Sequence, residues 1–142
     1  MPYAYSQKYK TAADTVKLNE EYAEISNDIS DISSELTSAE KDLIDYEAKA
    51  REATAKAQGS IDESSKQASK ATYGDVKDAK KAKKKADKAY DIALDSQEAD
   101  DKVKDQEKKV GKLKSQLQEK QQLLKELNEM RAAINESLLK SQ

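Results

Sequence analysis

The chain has 142 residues, of which 38% are charged, and its 26 basic and 28 acidic groups leave a net charge of −2. Histidine, cysteine, tryptophan and phenylalanine are absent, which removes the usual general base, thiol nucleophile and imidazole metal ligand. Only 22 residues are valine, isoleucine or leucine, beside 20 alanines, a composition that suits long helices burying narrow stripes rather than one compact core.

The N-terminal stretch from Met1 to Lys10 has the only proline, Pro2, and three tyrosines, Tyr3, Tyr5 and Tyr9. It lacks the apolar run of a secretory signal, and no stretch of the chain is apolar enough to span a bilayer. A soluble protein is expected, cytoplasmic or exported by a signal-peptide-independent route. The tyrosines suit either an ordinary helix-end cap on the bundle or a short aromatic tail docking on a neighbour. A helix starts near Ser6 or at Thr11, where Thr11-Ala-Ala-Asp14 resembles a capping box with aspartate in place of glutamate.

From Leu18 the apolar positions run Tyr22, Ile25, Ile29, Ile32, Leu36, Ala39, Leu43, Tyr46, Ala50, Ala53 and Ala57. The steps alternate four and three without a miss, which is a heptad seam. Gly59 reads as the residue closing this helix, and Ser60-Ile-Asp-Glu63 as a capping box opening a short connector. Tyr73-Gly74-Asp75 is a second break, with a second closing glycine and an N-cap aspartate.

The next seam begins Ala79, Ala82, Ala86, Ala89, Ala93 and, after a phase slip near Ser96 to Asp100, continues from Val103 to Leu138. Gln106, Lys120 and Arg131 interrupt it with polar groups, a device that fixes register. Leu123, Met130 and Leu139 flank the stripe and widen it, as where more than two helices meet.

The expected fold is all-α, an antiparallel helical hairpin of two long coiled-coil helices with a short helical connector, associating into a larger bundle. The chain reads as one elongated domain, 1–142, with a helix at 6–58, a connector at 59–74 and a helix at 75–140. With the turn centred near residue 67, Ala50, Ala53 and Ala57 face Ala79, Ala82 and Ala86. A pair of long helices dimerising in parallel, or swapping arms, is the rival topology.

Charge is zoned along the chain. Residues 1–50 carry 5 basic and 11 acidic groups, 77–90 carry 7 and 2, 91–107 carry 2 and 7, and 108–142 carry 8 and 4. In the expected register acidic stretches lie side by side in the middle of both arms, a screened repulsion that a neighbouring molecule's basic zone would relieve. The run KDAKKAKKKADK, residues 77–88, tempts a nucleic-acid reading. A sequence pI of about 5.4, only two arginines and interleaved aspartates argue against one. Its alanine face lacks the bulk to insert into a membrane.

No enzymatic chemistry and no cofactor are expected. The carboxylate pairs Glu20/Glu24, Glu24/Asp28 and Asp28/Asp31 have helical spacing but no dry pocket to separate their titrations, and neither a calcium loop nor a glycine-rich phosphate loop occurs. The expected function is structural: a hairpin that self-associates through heptad faces and charge zones into bundles or filaments. The alternative is a chaperone, adaptor or export-machinery hairpin binding another helical protein, and a third is an anionic-surface binder. Candidate interaction residues are Leu113, Leu117, Leu124, Leu127, Ile134 and Leu138 in the Leu-rich end, Lys80, Lys81, Lys84 and Lys85, and Tyr3, Tyr5 and Tyr9.

In size and in its paired heptads the chain resembles the stalk hairpins of type III export machines and short coiled-coil filament subunits. The resemblance rests on generic heptads covering the chain and is an analogy of size and fold.

Overall fold

The computed structural model describes residues 8–141. A single 3-10 turn, Ala12–Asp14, leads into α1, Thr15–Thr72, and a three-residue turn joins α1 to α2, Val76–Lys140. The two helices form an antiparallel hairpin, and no strand occurs among the described residues.

Of the two possible starts, the chain takes Thr11. The Asp14 carboxylate accepts the backbone N–H groups of Lys10 (2.8 Å) and Thr11 (3.0 Å), so a carboxylate occupies the positive end of the helix dipole. Residues 8–11 are not helical, which corrects a helix beginning at 6; residues 6 and 7 lie outside the described part.

Neither Gly59 nor the Ser60–Glu63 box ends α1. The helix passes through both and stops at Thr72, so the expected connector at 59–74 is largely the last four turns of α1. A mid-helix glycine costs about 1 kcal/mol relative to alanine, and here the seam continues beyond it: Ser60, Ser64, Gln67 and Ala71 are all half-buried. Gln58 also donates to Asp62 across the glycine at 3.1 Å. The break falls at Tyr73–Asp75, where Asp75 accepts the N–H of Asp78 at 3.1 Å as an N-cap. Gly74 does not adopt a left-handed conformation. A Cβ there would instead lie 2.9 Å from the Asp78 Cβ, so close approach is what requires glycine.

Moving the turn changes the register. Five cross-helix contacts, Asn19–Arg131, Asp28–Lys120, Ala39–Gln106, Thr54–Ser96 and Glu63–Lys85, have midpoints at residues 72–75. The pairing is therefore offset by about two heptads from a hairpin centred near residue 67. A slip by whole heptads leaves the seam face unchanged, so periodicity alone could not detect it. Burial decides between the two. A turn near 67 would shift Leu124, Leu127 and Ile134 away from Leu18, Tyr22 and Ile25, against which the observed turn places them.

Each helix carries one uninterrupted heptad frame. Taking the seam as positions a and d, every seam residue from Leu18 to Ala71 and from Asp78 to Ile134 is buried or half-buried. The phase slip expected near Ser96 is absent, because the frame from Val103 runs back through Ala99, Ser96, Ile92, Ala89, Lys85, Ala82 and Asp78. Of the five alanines expected in that seam, Ala82 and Ala89 belong to it. Ala79, Ala86 and Ala93 fall one place outside and are exposed.

The chain divides into two units, Met1–Ser38 with Gly111–Gln142, and Ala39–Val110. The first unit holds a core of Tyr9, Leu18, Ile25, Leu127 and Ile134, with Tyr22, Ile29, Leu124 and Met130 packed against it. In the second, the buried side chains are Ala39, Ala50, Ala57, Ala89 and Val110. At roughly 25 cal/mol per Å² of apolar surface, such a seam contributes far less per turn than the first unit's.

Candidate interaction surface

Three groups of residues were singled out for interaction, and the fold treats them differently. In the Leu-rich end, Leu113, Leu127 and Ile134 are buried within the chain's own hairpin and Leu117 and Leu124 are half-buried. Leu138, 45% exposed, remains open, beside Leu139 at 73%.

Tyr9 docks on its own chain. It is 7% exposed, because residues 8–11 fold back from the capping box and lay the ring over the first unit's core. The hydroxyl donates to the Glu21 carboxylate, as does the Lys8 ammonium at 3.0 Å. These bonds, Tyr9's foremost, hold the Glu21 carboxyl below its usual range. The same pairing with Glu21 pushes the Tyr9 phenol and the Lys8 ammonium upward. The helix-cap reading thus describes Tyr9, while Tyr3 and Tyr5 lie outside the described residues. This segment also accounts for part of the widened stripe: Met130 packs against the Tyr9 cluster, and Leu123 lines a shallow groove with Lys8, Ile25 and Met130.

The polar seam residues each reach the opposite helix. Gln106 Nε2 donates to the Ala39 carbonyl at 2.9 Å, Lys120 Nζ to Asp28 at 3.1 Å, and Arg131 to Asn19 Oδ1 at 2.8 Å. The Arg131 guanidinium also stacks 4.4 Å from the centre of the Tyr22 ring, an arrangement suited to its planar cation.

The lysine stretch is split by the same frame. Lys80, Lys81 and Lys84 are exposed, whereas Lys85 is a half-buried d position. Its ammonium donates to Glu63 at 3.1 Å and holds that carboxyl below its usual range. The corrected register also removes the expected repulsion between acidic arms. Residues 8–40, with eight acidic and three basic groups, lie opposite 108–140, with four and eight. Residues 91–107 lie opposite 41–57, which hold four of each sign. The remaining imbalance runs along α2 itself, basic at 77–90 and acidic at 91–107.

A feature missed in the sequence is the outer side of α2 in the second unit. Positions b and e there read Val76, Ala79, Lys83, Ala86, Tyr90, Ala93, all exposed, with Val76 at 72% and Tyr90 at 66%. Ile61 and Ala68 occupy e positions of α1 and are also exposed. The signal was present in the alanine spacing, which fits two adjacent stripes equally well.

Among the described residues, no group of three or more acidic side chains is placed to hold a metal ion, and no helix is long and apolar enough to cross a membrane. No family model, curated protein or solved structure matches the chain.

Proposed function

We propose that this chain is a non-enzymatic assembly protein, a coiled-coil hairpin that self-associates through its helix faces and charge zones into a bundle or filament. The observation that carries this reading is the contrast within the second unit. Its own seam is mostly alanine, serine and polar residues, with Leu43, Tyr46, Ile92, Val103 and Val110 as its only large apolar members, while Val76, Tyr90 and Ile61 are left outside it. Large apolar side chains at helical spacing on an exposed face are the mark of a surface covered in the working state. Opposite charge zones adjoining on one helix supply the attraction between neighbours.

Light scattering over a concentration and salt series tests it. Particle mass should rise with concentration and fall with added salt, because zone–zone attraction is screened within a Debye length of about 8–10 Å at ordinary ionic strength. A monodisperse monomer at high concentration and low salt overturns the proposal.

The exposed Leu138–Leu139 pair favours a second reading, an adaptor or export-machinery hairpin whose α2 end docks on another helical protein. Replacing both leucines with serine would then abolish partner binding while leaving self-association unchanged.

A further inference from the structure

We infer that the self-association surface is the outer face of α2 in the second unit, and that its occupant is a second copy of this chain, paired antiparallel about Tyr90. The inference rests on the assembly reading and gives it a geometry.

The exposed b and e positions of α2 continue past Ala93 to Gln97 and Asp100, again in steps of three and four. They make a second seam lying beside the one that α1 covers. In the first unit, off-seam Met130 packs against the core cluster that includes Tyr9, while Val16 and Leu139 stay exposed. No described residue covers Tyr90 or Val76 in this way, and both stay mostly exposed.

Charge selects both the occupant and its direction. Residues 77–90 carry seven basic and two acidic groups, and the adjoining 91–107 carry two basic and seven acidic. A second α2 laid antiparallel with its Tyr90 against this one sets each basic zone opposite the other's acidic zone. The same helix laid parallel and in register sets like against like. Antiparallel pairing about one point is a two-fold arrangement, self-complementary and closed. Tyr90 meets Tyr90 at the axis, and the small Ala86 meets Ala93 of the second copy, allowing close approach. On the flank, Lys80 comes opposite Asp101, both at f positions beside the stripe, and within the stripe Lys83 comes beside Asp100 of the second copy. These lysines and acids are exposed in the hairpin, so the pairing needs no rearrangement of α1 against α2.

Sedimentation equilibrium on the full chain tests this with three variants, each checked for unchanged helicity and melting. Tyr90→Asp places like charges on the axis and should weaken self-association about tenfold or more. Lys80→Glu/Lys83→Glu should abolish it, as should Asp100→Lys/Asp101→Lys. Mixing the two charge-reversed chains should restore a dimer, because each altered zone then meets its complement. If the unaltered chain assembles but Tyr90→Asp changes nothing and the mixture stays monomeric, the surface is wrong and the assembly reading stands. If the unaltered chain is a monomer at every concentration, both fall.

Discussion

Gly74 and Gly59 have the same side chain but opposite roles, and the difference lies in what a methyl group would meet. At Gly74 a Cβ would approach the Asp78 side chain to 2.9 Å at its Cβ, whereas at Gly59 and Gly111 it meets nothing within 4 Å. Gly74→Ala should therefore lower the melting temperature. Gly59→Ala and Gly111→Ala should each stabilise by roughly 0.5–1 kcal/mol through helix propensity and a less flexible unfolded chain. Thermal melts of the three variants check the signs, and a destabilised Gly59→Ala would mean that α1 breaks there after all.

The Tyr9–Glu21–Lys8 contact sets a pH window. Glu21 titrates below its ordinary value of 4.5 in the folded chain, so its contribution is present above that value and fades as pH falls through the lowered one. Asp14 and Glu63, also lowered, act with the same sign. Tyr9 and Lys8 titrate above their ordinary 10.0 and 10.5, so their contribution is present below those values and is lost as pH rises through the raised ones. Melting temperature should thus fall on both sides of a broad plateau. Glu21→Gln should flatten part of the acid limb, and an unchanged limb would show that the N-terminal segment adds nothing to stability.

At the scale of the helices, the central question is register, because a heptad repeat is degenerate to slips of seven residues. Spin labels at residues 54 and 96, whose side chains are bonded at 3.3 Å, should report a short intrachain distance. Labels at Ala50 and Ala86 should report a clearly longer one; the reverse result would restore the turn near residue 67. Gln106, Lys120 and Arg131 bear on the same question. A hydrogen bond or an exposed ion pair contributes only about 0.2–1.5 kcal/mol, yet a whole-heptad slip breaks all three cross-helix contacts together. Replacing the three with leucine should raise the melting temperature and broaden the distance distribution at 54 and 96. A sharp distribution would assign register to the turn and to leucine packing alone.

For the molecule as a whole, the amino-acid order by itself determines that the chain is two long helices, which face of α1 is buried, where the capping box at Thr11–Asp14 lies, and that breaks are confined to the middle. Each follows from local chemistry: a seam of period 3.5, a carboxylate near free N–H groups, a glycine beside an aspartate. Tertiary structure alone decided which of two glycines turns the chain. It also decided which of two adjacent alanine stripes joins the seam and whether the acidic arms oppose one another. Those outcomes depend on where Leu124, Leu127 and Ile134 find buried partners, far away in sequence. That choice carried the acidic first part of α1 onto the basic end of α2, while the unbroken frame of α2, running back from Val103, left Ala79, Ala86 and Ala93 on the outside. Local periodicity names a face; only the sum of burial over both helices selects what the face meets.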